Sequence, residues 1–516
     1  MSSTEATAFL GGRLVGGDGA DSLLVEGDRV VAMGSRSRIL RSSPVGAARI
    51  ELGGRCLLPG LIDAHVHLRE SVLAASGIDL RGVRRSTEIE DRLLRYAELH
   101  PSGPLVGSGW DDTLLAPGER PDRELLDRAV PDRPVLLDRI CGHVTVLNSL
   151  ALEAAGVDRG TRSAAGGRIG RTRAGDPDGL LYDREVGRTN GLRRAALRSR
   201  PEATRRLLDA WSARGLTAVG AMYVDRAEYA HLADLGRRRP WPLAIRAYLR
   251  LDPGTPPSLP PPANELRAVG FKAILDGSLG VRTAWLERPY ADAPGVHGYG
   301  LWSESALREA LEPAARGGRA IALHAIGDRA LGQALRVLES LGWPAPSRIE
   351  HGSVSPAALL PRIVRSGATV VIQPGFRTSD RWLVDRLGRR RSGWTHAYGR
   401  LAAVGVPLAG SSDSPVEPAD PWAGMRAATV RRGSGPDPRR LTPAQALRAY
   451  TAGGSRALAD PTLGHLGIGA AADLLLLAET GPWDGIRRGT GSVRGVWKSG
   501  RRVLPPATRS RAEVDN

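Results

Sequence analysis

Apolar runs of strand length alternate along most of this chain with stretches of helical spacing. Eight runs recur in order: "GLIDAHVH", "TAVGAMYV", "LAIRAYLRL", "GFKAIL", "RAIALH", "SRIEH", "ATVVIQ" and "VPLAGS". Strands alternating with helices argue for parallel βα units, and eight of them predict a (β/α)8 barrel. Local signals mark two helices. "SVSPAALLPRIVRSG" offers Ser355 as N-cap, Pro356 at the first helical position and Gly367 as the stop. "LTPAQALRAYTAGG" puts Thr442, Pro443 and Gln445 at capping-box spacing, again with glycine closing the helix.

Both ends of the chain read differently. "AFLGGRLVG" and "DSLLVEGDRVVAMG" are short strands between glycine turns, and "GAAADLLLLA" and "VRGVWKSGRRV" answer them near the C-terminus. One small β-sandwich built from both termini is expected, from residues 1–57 and 454–516. The barrel is expected over residues 58–453. The stretch between its first two strands, containing "GPLVGSGWDD" and "RPVLLDRICGHVTVLNSLAL", is too long for one βα unit. It reads as a cap-like insertion at about 75–200, and the fold class is α/β. A chain of 516 residues exceeds what a single core supports, which agrees with several units.

Composition changes the picture in three ways. No apolar run is long enough for a membrane span, and "MSSTEATAFLGG" lacks the charged and apolar regions of a signal peptide. Two cysteines, Cys56 and Cys141, cannot build a disulfide framework, so a reducing, cytoplasmic setting is expected. The net charge of +17 comes from arginine spread over the whole length, with no basic stripe interleaved with aromatics. Nucleic acid and membrane are therefore not expected partners; a small-molecule substrate is. The oligomeric state stays open, with a homodimer among the alternatives.

A further change is that only Lys272 and Lys498 are lysines, against 72 Lys and Arg together. Lys272 stands inside the apolar run "VGFKAIL". Arginine stays charged at any working pH, whereas a buried lysine can lose its proton and react as an amine. His65 and His67, two apart at the end of the first run, project from one face. Alone, that pair also fits polar residues closing a strand. His324, His351 and Asp413 end or follow three other runs, at the strand ends where barrels build active sites. Imidazoles and carboxylates suit zinc or a similar divalent ion, one or two of them. Two ions bring four positive charges. Asp413 and a bridging hydroxide offset only two, and a CO2-derived carbamate on Lys272 would add a negative charge and two oxygen ligands. The competing reading pairs a buried Lys272 with Asp276. Trp110 is read as lining the pocket, with a core role as the alternative, and Asp328 as the acceptor that orients His324. His297 has no assigned role, and His100, His231, His396 and His465 read as surface or interdomain residues.

These segments together resemble the amidohydrolase superfamily, specifically the family that includes the N-substituted formamide deformylases. The likeness runs over roughly residues 8–505. It rests on "LPGLIDAHVHL", "GHVTVLNSLAL", "FKAILDGSLGVRTAWLERPY", "LHAIGDRALGQAL", "IEHGSV", "SSDSPVEPADPWAGMRAA" and "LTPAQALRAYTAGGSRAL", in that order. The resemblance implies that His65, His67 and Asp413 hold one metal, His324 and His351 the other, and carboxylated Lys272 bridges them. It implies hydrolysis of a non-peptide C–N bond, of amide or N-substituted formamide type, by metal-activated hydroxide. Asp413 would carry the proton, and His143, matching a family histidine in the cap, would act as a catalytic group that contacts the substrate oxygen. A deaminase or cyclic-amide hydrolase of the same superfamily is the nearest alternative. A non-catalytic scaffold is the alternative from another class. Two departures bear on substrate: the second run lacks the His-Asp pair many relatives carry, and "SSDSPV" has serine where relatives often have glycine.

Overall fold

The computed structural model describes residues 5–164, 166–251, 258–344, 346–431 and 437–504. Its centre is an eight-stranded parallel sheet, Leu61–Val66, Leu216–Val224, Ala244–Arg250, Leu266–Ile274, Ala320–Ala325, Ser347–His351, Thr369–Ile372 and Leu408–Gly410, hydrogen-bonded in that order. A parallel bridge between Val66 and Ser414 closes it. The Asp413 N–H donates to His65 O at 2.9 Å and the His67 N–H to Ser414 O at 2.8 Å, so first and last strands join at the mouth. Each of the eight apolar runs is one of these strands. Buried on both faces, a barrel strand needs continuous apolarity, which makes it legible.

Close approach of helix to sheet accounts for the glycines before the last segment. The capping box at Thr442 and Gln445 is formed, and its helix is Pro443–Ala449. Gly453 and Gly454, expected to close that helix, instead lie in the next one, Ala452–Ala457. A Cβ on Gly453 would stand 2.1 Å from Leu408 O, and one on Gly454 2.6 Å from Ile62 Cβ. This helix therefore packs directly on the barrel, and the boundary expected at 454 falls inside it. The Ser355 cap also differs. The chain there takes a 3-10 turn, Ala357–Leu359, before the helix Leu360–Ser366, and the Ser355 hydroxyl donates to Gly352 O at 2.6 Å. Gly367 does end that helix, with φ 60°.

The β-sandwich has two sheets. One holds Arg29–Gly34, Ser22–Glu26, Ala6–Leu10 and Ala48–Glu51; the other holds Arg13–Leu14, Cys56–Pro59, Leu474–Leu477, Val493–Lys498 and Arg501–Leu504. Phe9, Leu23 and Leu57 share one core with Leu474 and Trp497, so both ends of the chain build it. The insertion carries its own six-stranded sheet between Ile78 and Asp183, with a separate apolar core around Leu105, Leu137 and Val146. It stands over the mouth, where a cavity of about 590 Å³ lies between cap and barrel. Among the described residues, no helix is long and apolar enough to cross a membrane.

Candidate metal centre and active site

The floor of the cavity is built by strand ends. His67, Lys272, His324, His351 and Asp413 all line it, and His143 lines it from the cap. His65 lies just beneath, fully buried. One nitrogen each from His65 and His67 and one oxygen from Asp413 lie within 4.8 Å of one another. His65 Nε2 is 3.0 Å from Asp413 Oδ1, and His67 Nε2 is 3.3 Å from the same oxygen. The ring of His351 is 5.3 Å from that of His65 and 4.6 Å from that of His324. Five of the six chain-distant candidates are thus linked by direct contacts, and Lys272 borders the same space.

Two positive-φ residues make this possible. On the sixth strand Arg348 and Glu350 face the barrel interior, so strict alternation would turn His351 outward. His351 has φ 69°, and its ring reaches the mouth. Asp413 has φ 58° and turns its carboxylate back over the first strand. Side chains rarely adopt this conformation, and it concentrates where function holds it.

Three of the four imidazoles are fixed from behind. His65 Nδ1 meets Glu350 Oε2 at 2.6 Å, and Glu350 is held by the buried Arg348 guanidinium at 2.8 Å. His351 Nδ1 meets Gln373 Oε1 at 2.9 Å. Both leave Nε2 for the mouth. His324 turns Nε2 toward Gly277 O at 3.4 Å and Asp276 Oδ1 at 3.5 Å, which leaves Nδ1. Such partners set tautomer and ring orientation for a metal ligand. Replacing Glu350 with Gln is expected to weaken divalent-metal affinity by about 10- to 100-fold, read by competition with a chromogenic chelator; unchanged affinity would remove Glu350 from this role.

Burial and charge act together here. Burial lowers the Lys272 ammonium to about 8, against the pull of Glu350. Burial, reinforced by His65 and Lys272, brings His351 to about 3 despite Asp413, and burial with His351, Lys272 and His143 pushes His324 well below its usual value. Burial alone would raise Asp413, but the neighbouring His65 and His67 hold it well below the carboxylate range. Neutral imidazoles, an ionised carboxylate and an easily deprotonated amine are the forms that bind cations.

The residues also fit a metal on independent grounds. Lys272 Nζ is buried without a hydrogen-bond partner, and His65 Nε2 and Asp413 Oδ1, buried 3.0 Å apart, make no well-angled hydrogen bond. Buried polar atoms are nearly always satisfied, and an unpaired amine beside a poorly aligned imidazole–carboxylate pair calls for a cation or a modified amine. The competing pairing of Lys272 is not formed. Asp276 accepts instead from the N–H groups of Trp285, Ile326 and Gly327 at 2.8–3.0 Å.

Three candidates lie elsewhere than expected. Trp110 is packed in the cap's apolar core and donates Nε1–H to Leu137 O at 3.0 Å, away from the cavity. Asp328 accepts from the N–H groups of Glu287 and Arg329; the carboxylate beside His324 is Asp276. His396, read as a surface or interdomain residue, is buried with Nε2 2.9 Å from Asp380. His297, left without a role, has its Nδ1 3.2 Å from Leu286 O. His143 is at the cavity, 5.6 Å between ring centres from His324, with Nδ1 2.8 Å from Asp183 Oδ1. The sequence reading missed Glu350, Gln373 and Asp183, and named Asp276 only as a partner for Lys272. Only "SRIEH" offered a signal, two charged residues inside a strand that must face inward.

A parallel barrel with histidines and a carboxylate converging at its C-terminal mouth is the architecture of a metal-dependent hydrolase. The chain belongs to the amidohydrolase family, whose profile matches residues 49–504. It is 30% identical to the Bacillus subtilis (strain 168) protein YtcJ over 90% of this chain and 91% of that one. It is 25% identical to the N-substituted formamide deformylase of Arthrobacter pascens, over 69% of this chain and 70% of that enzyme. The crystal structure of an uncharacterized metal-dependent hydrolase from Pyrococcus horikoshii OT3 superposes with a TM-score of 0.76 at 28% identity, covering 92% of this chain and 97% of that one.

Proposed function

We propose that this protein hydrolyses a non-peptide C–N bond of a small molecule, an amide or N-substituted formamide, with zinc as the ion and Lys272 as a CO2-derived carbamate. The observation that carries the reading is the convergence of ligand atoms from His65, His67 and Asp413, within 4.8 Å of one another, beside the unpaired buried Lys272 Nζ at the floor of one cavity. His65, His67 and Asp413 would hold one ion, and His324, His351 and the Lys272 carbamate a second. The bound ion supplies Lewis acidity for the carbonyl and makes water a better nucleophile near neutral pH. The rest falls to the chain. The cap excludes bulk water. His143 presents Nε2 to the carbonyl oxygen and stabilises the charge that develops there. Burial alone would lower His143, yet its bond to the Asp183 carboxylate lifts it to about 9, so it stays a donor at neutral pH. Asp413 takes a proton from the attacking water and delivers it to the leaving nitrogen as the C–N bond breaks, giving an acid and an amine.

The name of the Arthrobacter pascens relative supports the formamide class. Elemental analysis of the purified protein is expected to find about one to two divalent ions per chain. Zinc-loaded protein is then expected to turn over members of a panel of N-formyl, N-acyl and cyclic amides. Metal-free protein with unchanged turnover would overturn the mechanism, and activity confined to amidines or ring amines would move the assignment to a deaminase.

A further inference from the structure

Asp183 has no part in bond breaking, yet it is built with unusual constraint. It ends the cap strand Pro177–Asp183 with φ 50°, in the left-handed region that non-glycine residues avoid. Its side chain is almost wholly buried. Oδ1 accepts from His143 Nδ1 at 2.8 Å, and Oδ2 accepts the Tyr299 hydroxyl. The Asp183 N–H also donates to His143 O at 2.9 Å, so the two residues are tied twice. Tyr299 comes from the barrel side, in the loop after the lysine strand, where its N–H donates to Thr283 O at 3.3 Å. Gly277 in the same loop lies against the carboxylate: a Cβ there would stand 3.0 Å from Asp183 Oδ1 and 1.9 Å from Thr283 Oγ1. Its carbonyl is the one 3.4 Å from His324 Nε2. The Asp183 carboxylate is therefore a point where cap, lysine-strand loop and metal-centre wall come together.

With Nδ1 tied back, Nε2 is the ring nitrogen left to His143 for the cavity. Rotation of the ring would break the bond to Oδ1. Displacement of the cap would break the bond from Tyr299. We propose that Asp183 and Tyr299 are positioning residues, whose hydroxyl–carboxylate–imidazole chain locks the cap onto the lysine-strand loop and aims His143 Nε2 at the oxygen of the scissile group. This rests on the reading of His143 given above. It makes cap seating and the alignment of His143 one event. An open or displaced cap leaves the metal ligands intact and the oxygen contact unmade.

The test uses full-length zinc-loaded protein, the panel amide that it turns over best, and a double-mutant cycle. Tyr299→Phe removes one oxygen and is expected to lower kcat about tenfold with KM nearly unchanged; zinc content should stay the same. In a His143→Ala background the same change is expected to have no further effect. Equal losses in both backgrounds, or no loss in either, would overturn the positioning role. A His143→Ala protein as active as the unaltered one would instead refute the reading of His143 itself, so the two failures are distinct. A readout independent of turnover is the downfield proton resonance of His143 Nδ1–H, identified by its loss in His143→Ala. It is expected to vanish in Asp183→Ala and to shift in Tyr299→Phe. Persistence unchanged in Tyr299→Phe would sink the chain even if Asp183→Ala does not fold.

Discussion

Replacing Lys272 with Ala is expected to strip the protein of divalent metal and lower turnover by three orders of magnitude or more, about 4 kcal/mol of lost transition-state stabilisation. The size follows from the position. Lys272 sits on the strand Leu266–Ile274, with neighbours Arg250 and Ala322 across the ladder, and its Nζ has no hydrogen-bond partner. With its ammonium lowered to about 8 by burial, roughly a tenth of the side chain is neutral amine at pH 7, where an ordinary lysine offers far less. A neutral amine is the form that adds CO2. On the carbamate proposal, removing it takes away the anionic ligand that His324 and His351 would share. Short carboxylic acids have the same charge and two oxygens, and they are expected to restore part of both metal content and rate in the alanine variant. Unchanged zinc and unchanged turnover would end the carbamate proposal. Loss of metal without rescue would leave a plain ligand role.

Asp413→Asn is expected to lower kcat by about 10²- to 10⁴-fold with KM changed far less. The change is mild in shape. Asn is one of the residues that tolerate the left-handed conformation, so φ 58° at this position is no obstacle to folding. The amide keeps an oxygen near His65 and His67 but cannot hold a negative charge or take up a proton at neutral pH. Steady-state kinetics with parallel metal analysis separate the two roles. A rate near that of the unaltered protein would remove Asp413 from proton transfer.

The barrel was legible because strands buried on both faces must be apolar throughout, a pattern no surface strand copies. The six chain-distant candidates were legible because each lies at or near the end of such a strand. What failed was local direction. Trp110 follows Ser108 and Gly109, which face the cavity, but Gly109 is the extra residue of a bulge: Asp138 pairs with Ser108, and Arg139 with Trp110. With φ 100° at Gly109, the alternation slips and the indole turns into the cap core. A glycine inside a strand was the only hint. Asp328 failed for the opposite reason. Closeness in sequence to His324 suggested contact, yet Asp328 opens the next helix and accepts the N–H of Glu287, while Asp276, just after the lysine strand, faces the ring. Asp183 and Tyr299 come from separate units, so no spacing could have paired them.

The scarcity of lysine has a consequence for the outside of the molecule. Lys498 is buried too, its ammonium held 3.0 Å from Asp473 and 3.1 Å from Glu265. Apart from a few histidines, the described exterior therefore displays guanidinium as its side-chain cation, a coat that keeps its charge across any pH the fold withstands. Acyl donors and cyanate, which scar lysine-rich enzymes at random, meet no ε-amine in solvent here. An electrophile admitted to the cavity finds one unclaimed amine, the one on which the chemistry depends.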